Sequence, residues 1–164
     1  MKKFIFFVMI TFFAITTLWS QTNGQLVLQG TVPLILQLTI SPAADISALD
    51  LTTTFSGPIA MVTEKTNKRT GYNITISSTS AQALESNPVF KGLDIGNTET
   101  LSYSLTYDGE PVNFISGVAT IIGPNIKTSS AGSQKQVILS YDGTTQFLNA
   151  DTYKDTLTFT IIAK

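Results

Sequence analysis

The chain has 164 residues, 43% of them apolar, ten basic and eleven acidic side chains for a formal charge of −1, and neither histidine nor cysteine. Without imidazole or thiol there is no zinc site of the usual kind, no Ser-His-Asp or Cys-His triad and no thiol redox centre. The near-neutral balance leaves no basic footprint for nucleic acid, and the length suits one domain with its own core.

The first element is a leader. Met1-Lys2-Lys3 is a basic start, Phe4 to Ile15 is mostly apolar, and Thr16-Thr17-Leu18-Trp19-Ser20 runs into polar Gln21-Thr22-Asn23-Gly24. That order is the order of a secretory signal peptide, residues 1–20, with cleavage expected after Ser20. The stretch from Phe4 to Trp19 is 16 residues with three threonines, short for a membrane span. A lipid anchor on cysteine is excluded by composition. Removing Lys2 and Lys3 with the leader leaves eight basic against eleven acidic residues, net −3, and takes away Trp19, the one tryptophan. What remains is rich in Thr and Ser, a β composition.

Strands follow with a period of two. Val32, Leu34, Leu36, Leu38 and Ile40 share one parity. Tyr72, Ile74 and Ile76 alternate with Asn73, Thr75 and Ser77. Leu101, Tyr103, Leu105 and Tyr107 alternate with Ser102, Ser104 and Thr106. Val137, Leu139 and Tyr141 form a fourth run, and Leu157, Phe159 and Ile161 a fifth. Such alternation predicts strands with one buried and one wet face. Turns are expected at Ser41-Pro42, Ser56-Gly57-Pro58, Asn87-Pro88, Asp108-Gly109, Gly123-Pro124 and Asp142-Gly143. A helical turn is expected only at Ser80 to Glu85. The pattern predicts an all-β fold, an immunoglobulin-like β-sandwich of seven to nine antiparallel strands in a single domain, with a closed barrel as the alternative.

Candidate chemistry is sparse. Asp108-Gly109-Glu110 reads as a hairpin tip rather than a calcium loop. Asp151 and Asp155 could pair on a metal, but Asp151 reads as part of the turn opening the last strand. A glycosidase would need only two carboxylates, and no spacing marks such a pair here. Lys65, Lys68 and Arg69 around Asn67 read as a solvated loop, and the sequon Asn73-Ile74-Thr75 falls inside a strand. No catalytic residue, metal or cofactor is expected, and the chain is not expected to be an enzyme.

The order of the segments resembles the subunits of chaperone–usher pili (fimbriae) and the spore coat protein U domain. Asn23-Gly24-Gln25-Leu26-Val27-Leu28-Gln29-Gly30-Thr31-Val32 is similar to the start of an exported pilin. Asn67 with Gly71-Tyr72-Asn73-Ile74-Thr75-Ile76-Ser77-Ser78, and then Leu101 to Tyr107, are similar to its inner strands. The segment Leu148 to Ile161 resembles the closing strand, with Ala150, Tyr153, Asp155, Leu157, Phe159 and Ile161 in the motif and Asp151 where glycine is usual. The missing cysteine departs from the many pilins that carry one disulfide.

The resemblance implies an incomplete sandwich over residues 30–164, preceded by a short extension, residues 21–29, that serves as donor strand. Gly24, Leu26, Leu28 and Gly30 would form the partner-strand interface. Partners would be neighbouring subunits or a periplasmic chaperone, joined by β-strand addition. The product would pass through the periplasm to the cell surface, with no membrane span after cleavage. The alternative is a self-complete secreted β-sandwich, an adhesin or carbohydrate-binding module, whose partner is a host or surface glycan.

Overall fold

The computed structural model of the protein describes residues 23–44 and 46–164. The expected signal peptide, residues 1–20, lies outside the described residues, as do Gln21, Thr22 and Asp45. The chain divides into two units, Met1–Val32 and Pro33–Lys164. In the first, residues 23–32 form neither strand nor helix, and Leu26, Val27, Leu28 and Val32 are 81–85% exposed.

The second unit is an all-β sandwich. Its strands are β1 (Leu36–Pro42), β2 (Thr54–Thr66), β3 (Tyr72–Ser78), β4 (Val89–Gly92), β5 (Thr100–Tyr107), β6 (Glu110–Pro111), β7 (Val118–Ile122), β8 (Ser133–Asp142), β9 (Tyr153–Lys154) and β10 (Leu157–Ala163). One antiparallel sheet runs β1-β2-β8-β5-β4-β9, with β6 paired to β5. The other runs β10-β3-β7. The ten strands among the described residues exceed the expected seven to nine because two of them, β6 and β9, are two residues long.

The alternating residues form the core between the sheets. Tyr72, Ile74 and Ile76 of β3 face Leu101, Tyr103, Leu105 and Tyr107 of β5 and Val137, Leu139 and Tyr141 of β8 in one cluster. Among the described residues the one α-helix, α1 (Thr79–Leu84), follows β3 directly. Ser78 caps it by accepting from Ala81 N–H, and Glu85 closes it at φ 50° ahead of Pro88. Asp108 (φ 55°) and Gly109 (φ 87°) make the expected hairpin tip between β5 and β6, both in the left-handed region that such a two-residue turn requires.

Three expectations are corrected. The turn expected at Ser56-Gly57-Pro58 lies inside β2, where the pairing with β8 shifts register between Pro58 and Ala60. Pro58 is tolerated because β1 ends opposite Ala60, so no neighbour on that side needs its missing N–H. Likewise Ser41 and Pro42 close β1 as strand residues, paired to Met61 and Ala60. At its other end β1 begins at Leu36, not Val32. Beyond Thr66 there is no strand to pair with, and the Asn67 side chain holds the approach instead. Its Oδ1 accepts from Ile35 N–H at 2.8 Å and its Nδ2 donates to the Pro33 carbonyl at 2.8 Å.

Candidate functional site

β1 and β10 are the end strands of their two sheets, and they run close together on one side of the sandwich without pairing. Which backbone groups stay free follows from the register. Ala43 N–H donates to Ile59 and Asn67 N–H to the Ile35 carbonyl, so the odd residues of β1 bond to β2. The even residues Leu36, Leu38 and Ile40 therefore turn their N–H and C=O outward. Lys164 N–H donates to Gly71 and Thr79 N–H to Thr156, so the even residues of β10 bond to β3. Among the described residues, nothing pairs with the main-chain groups of Leu157, Phe159 and Ile161. On both edges, the residues with unpaired backbone are those whose side chains point at the core.

Burial falls off toward this seam. Ile74 and Ile76 are 1% and 0% exposed, while their cross-strand partners Ile161 and Phe159 are only half-buried. Val62 is fully buried, but Ile40 opposite it is 41% exposed. Leu36, Leu38 and Leu157 are also half-buried. The core thus thins where two rows of unpaired backbone groups lie side by side. An extended segment with apolar residues at alternate positions has the complementary features.

Beneath the seam sits a buried carboxylate that the sequence did not single out. Glu64 of β2 points inward beside Leu38, 2% exposed, and accepts hydrogen bonds from the Tyr72 and Tyr107 hydroxyls. Burial, then the bond to Glu64, raises the ionisation of both phenols well above the ordinary tyrosine range. Tyr107 in turn packs on Phe159, with ring centroids 6.4 Å apart. The signal was available in the parity of β2, where Glu64 stands between inward Val62 and Thr66, and in tyrosines at inward positions of β3 and β5. A buried carboxylate needs donors, and tyrosine hydroxyls are the donors these strands supply.

The closing-strand residues divide into two groups. Leu157, Phe159 and Ile161 line the seam, while Ala150, Tyr153 and Asp155 lie below it. Asp155 accepts from Ser80 N–H at 2.9 Å, from the Ser78 hydroxyl at 2.6 Å and from the Tyr103 hydroxyl. It ties the start of β10 to the start of α1 and to β5. Burial first, then the bond to Asp155, raises the Tyr103 phenol. Tyr153 contacts Asn97, Glu99 and the Asn149 carbonyl through its hydroxyl, and Ala150 is exposed in a bend. Asp151 accepts from Asp94 N–H at 3.0 Å and Asn97 Nδ2 at 2.6 Å. Those bonds, the Asp94 one first, hold its carboxyl below the usual range. Asp151 and Asp155 therefore belong to two separate networks. Among the described residues no group of three or more acidic side chains is arranged to hold a metal ion.

Gly24, Leu26, Leu28 and Gly30 lie in the first unit, exposed and outside any strand. Lys68 and Arg69 are exposed in the turn between β2 and β3, and the Asn73 sequon lies in β3, the middle strand of its sheet. No helix among the described residues is long and apolar enough to cross a membrane. No protein-family model matches the chain, and no curated protein matches its sequence.

Proposed function

We propose that the chain is an exported structural subunit of a surface fibre or coat, not an enzyme, that assembles by accepting a β-strand along the β1–β10 seam. The observation that supports this is the coincidence at the seam of unpaired backbone and half-buried apolar side chains on Leu36, Leu38, Leu157, Phe159 and Ile161. The proposed occupant is the segment around Gly24, Leu26, Leu28 and Gly30 of a second copy, or a chaperone strand of the same pattern during transit through the periplasm. Leu26 and Leu28 are 83% and 85% exposed, so burying each in a partner contributes about 1.5–3 kcal/mol. Main-chain bonds to both edges add affinity, and alternate side chains add register.

The test uses the exported chain and its Leu26→Asp/Leu28→Asp variant. The unmodified chain forms ladders that persist in denaturant, and the variant forms none while its circular dichroism is unchanged. Equal ladders from both proteins contradict the proposal.

A further inference from the structure

The charged residues divide unevenly between the two ends. At one end lie the β2–β3 turn, the loop after β7 and the end of β10, carrying Lys65, Lys68, Arg69, Lys127 and Lys164. The acids there are spoken for or few. Glu64 is buried beneath Tyr72 and Tyr107, Asp108 is paired with Lys135, and Glu110 remains. Lys164 is held by the Gly123 carbonyl and Asn125, leaving Lys68, Arg69 and Lys127 exposed.

The opposite end is acidic and hollow. A cavity of about 1030 Å³ is lined by Phe90, Phe147, Tyr153, Asp50, Asp151 and Asn149, with Lys154 as a cation on its wall. Phe147 is fully exposed, an unusual cost for a phenyl ring with no covering partner. Asp94, Glu99 and Asp142 lie around the same end, against Lys91, which stands opposite Lys154. The Thr52 hydroxyl, and Asp94 N–H for Asp151, keep Asp50 and Asp151 below the usual carboxyl range, so both are anionic at neutral pH.

The ends are separated by the length of β2, about 40 Å at roughly 3.3 Å per residue, several screening lengths at physiological salt. They cannot neutralise each other within one molecule. Joining them between molecules gives a heterologous, head-to-tail contact that repeats without closing.

We propose that the basic turn Asn67–Thr70 of one copy seats in the acidic, aromatic-lined hollow of a second copy, with Arg69 against Phe147 and facing Asp50 and Asp151. A guanidinium suits this lining because it pairs with carboxylates and stacks on aromatic faces. The contact lies at the ends of the sandwich, away from the seam, and needs no strand exchange. It therefore stands or falls independently of the function proposed above.

The experiment measures self-association of the exported chain by sedimentation, in the Leu26→Asp/Leu28→Asp background so that strand donation does not contribute. Raising salt from about 20 mM to about 0.5 M weakens association at least about tenfold. Lys68→Glu/Arg69→Glu and, separately, Asp50→Lys abolish it, and Phe147→Ala, at a fully exposed position that cannot unfold the domain, weakens it. Mixing the Lys68→Glu/Arg69→Glu chain with the Asp50→Lys chain restores an intact basic turn facing an intact acidic hollow, and the mixture associates where neither chain does alone. The proposal is overturned if neither charge reversal changes association, or if the mixed chains remain monomeric.

Discussion

Replacing Glu64 by alanine removes the acceptor of two buried tyrosine hydroxyls at once. Glu64 is 2% exposed, Tyr72 0% and Tyr107 3%, so water does not reach the hydroxyls to replace the lost bonds. Each buried hydroxyl left without its acceptor costs about 1–3 kcal/mol, and the truncated side chain leaves a cavity besides. The expected loss is therefore about 3–5 kcal/mol, a large part of the 5–15 kcal/mol of a typical domain. Glu64→Gln keeps the shape and one carbonyl acceptor and costs less, about 1–2 kcal/mol. Tyr72→Phe and Tyr107→Phe each remove one bond and leave the carboxylate half-satisfied, and the double variant loses more than the sum of the two. The assay is urea unfolding of the exported chain followed by tyrosine fluorescence, which no tryptophan beyond Trp19 obscures. A Glu64→Ala cost below about 1 kcal/mol, the size seen at exposed positions, refutes the reasoning.

Three further outcomes follow from the same contacts. Tyr72, Tyr103 and Tyr107 have raised ionisations in the folded chain, so above pH 10 the unfolded state loses phenolic protons that the folded state keeps. Stability is then full below pH 10 and falls above it by about 1.4 kcal/mol per pH unit for each tyrosine, and each Tyr→Phe change flattens that slope by one step in alkaline denaturation. Asp155→Ala releases Ser78, Ser80 and Tyr103 together and lowers stability by about 3 kcal/mol, with Asp155→Asn retaining part of it in the same unfolding assay. Gly71→Ala puts a methyl 1.8 Å from the Pro124 carbonyl at φ 79°, so its melting temperature drops by more than that of Gly24→Ala, where nothing lies within 4 Å.

The strands were legible wherever one face is buried and one wet. Tyr72 to Ile76, Leu101 to Tyr107, Val137 to Tyr141 and Leu157 to Ile161 alternate because each spans the boundary between core and solvent. Pro58 misled because proline marks a turn in local terms, and only the stopping point of β1 explains its place inside β2. Alternation overstates β1 for a related reason: Val32 and Leu34 keep the pattern, but β2 ends at Thr66, opposite Leu36. Asp155 was marked in the sequence by its place before the closing strand, yet its partners Ser78, Ser80 and Tyr103 come from segments 52 to 77 residues away. Glu64 was harder still. A carboxylate in a strand reads as surface, and its inward direction emerges only when β2 is set beside β1 and β8. The unpaired edges are a property of strand order, which periodicity does not encode.

The central claim is that the β1 and β10 edges accept a strand. Hydrogen–deuterium exchange of the exported Leu26→Asp/Leu28→Asp chain, with and without a synthetic peptide of residues 23–32, tests it most directly. The account predicts that the peptide slows exchange at the outward amides of Leu36, Leu38, Ile40, Leu157, Phe159 and Ile161. At about 100 times its dissociation constant it also raises the unfolding free energy by about 2.7 kcal/mol. A peptide with Leu26 and Leu28 replaced by aspartate does neither. Unchanged exchange on both edges at saturating peptide, or equal protection by the two peptides, contradicts the account.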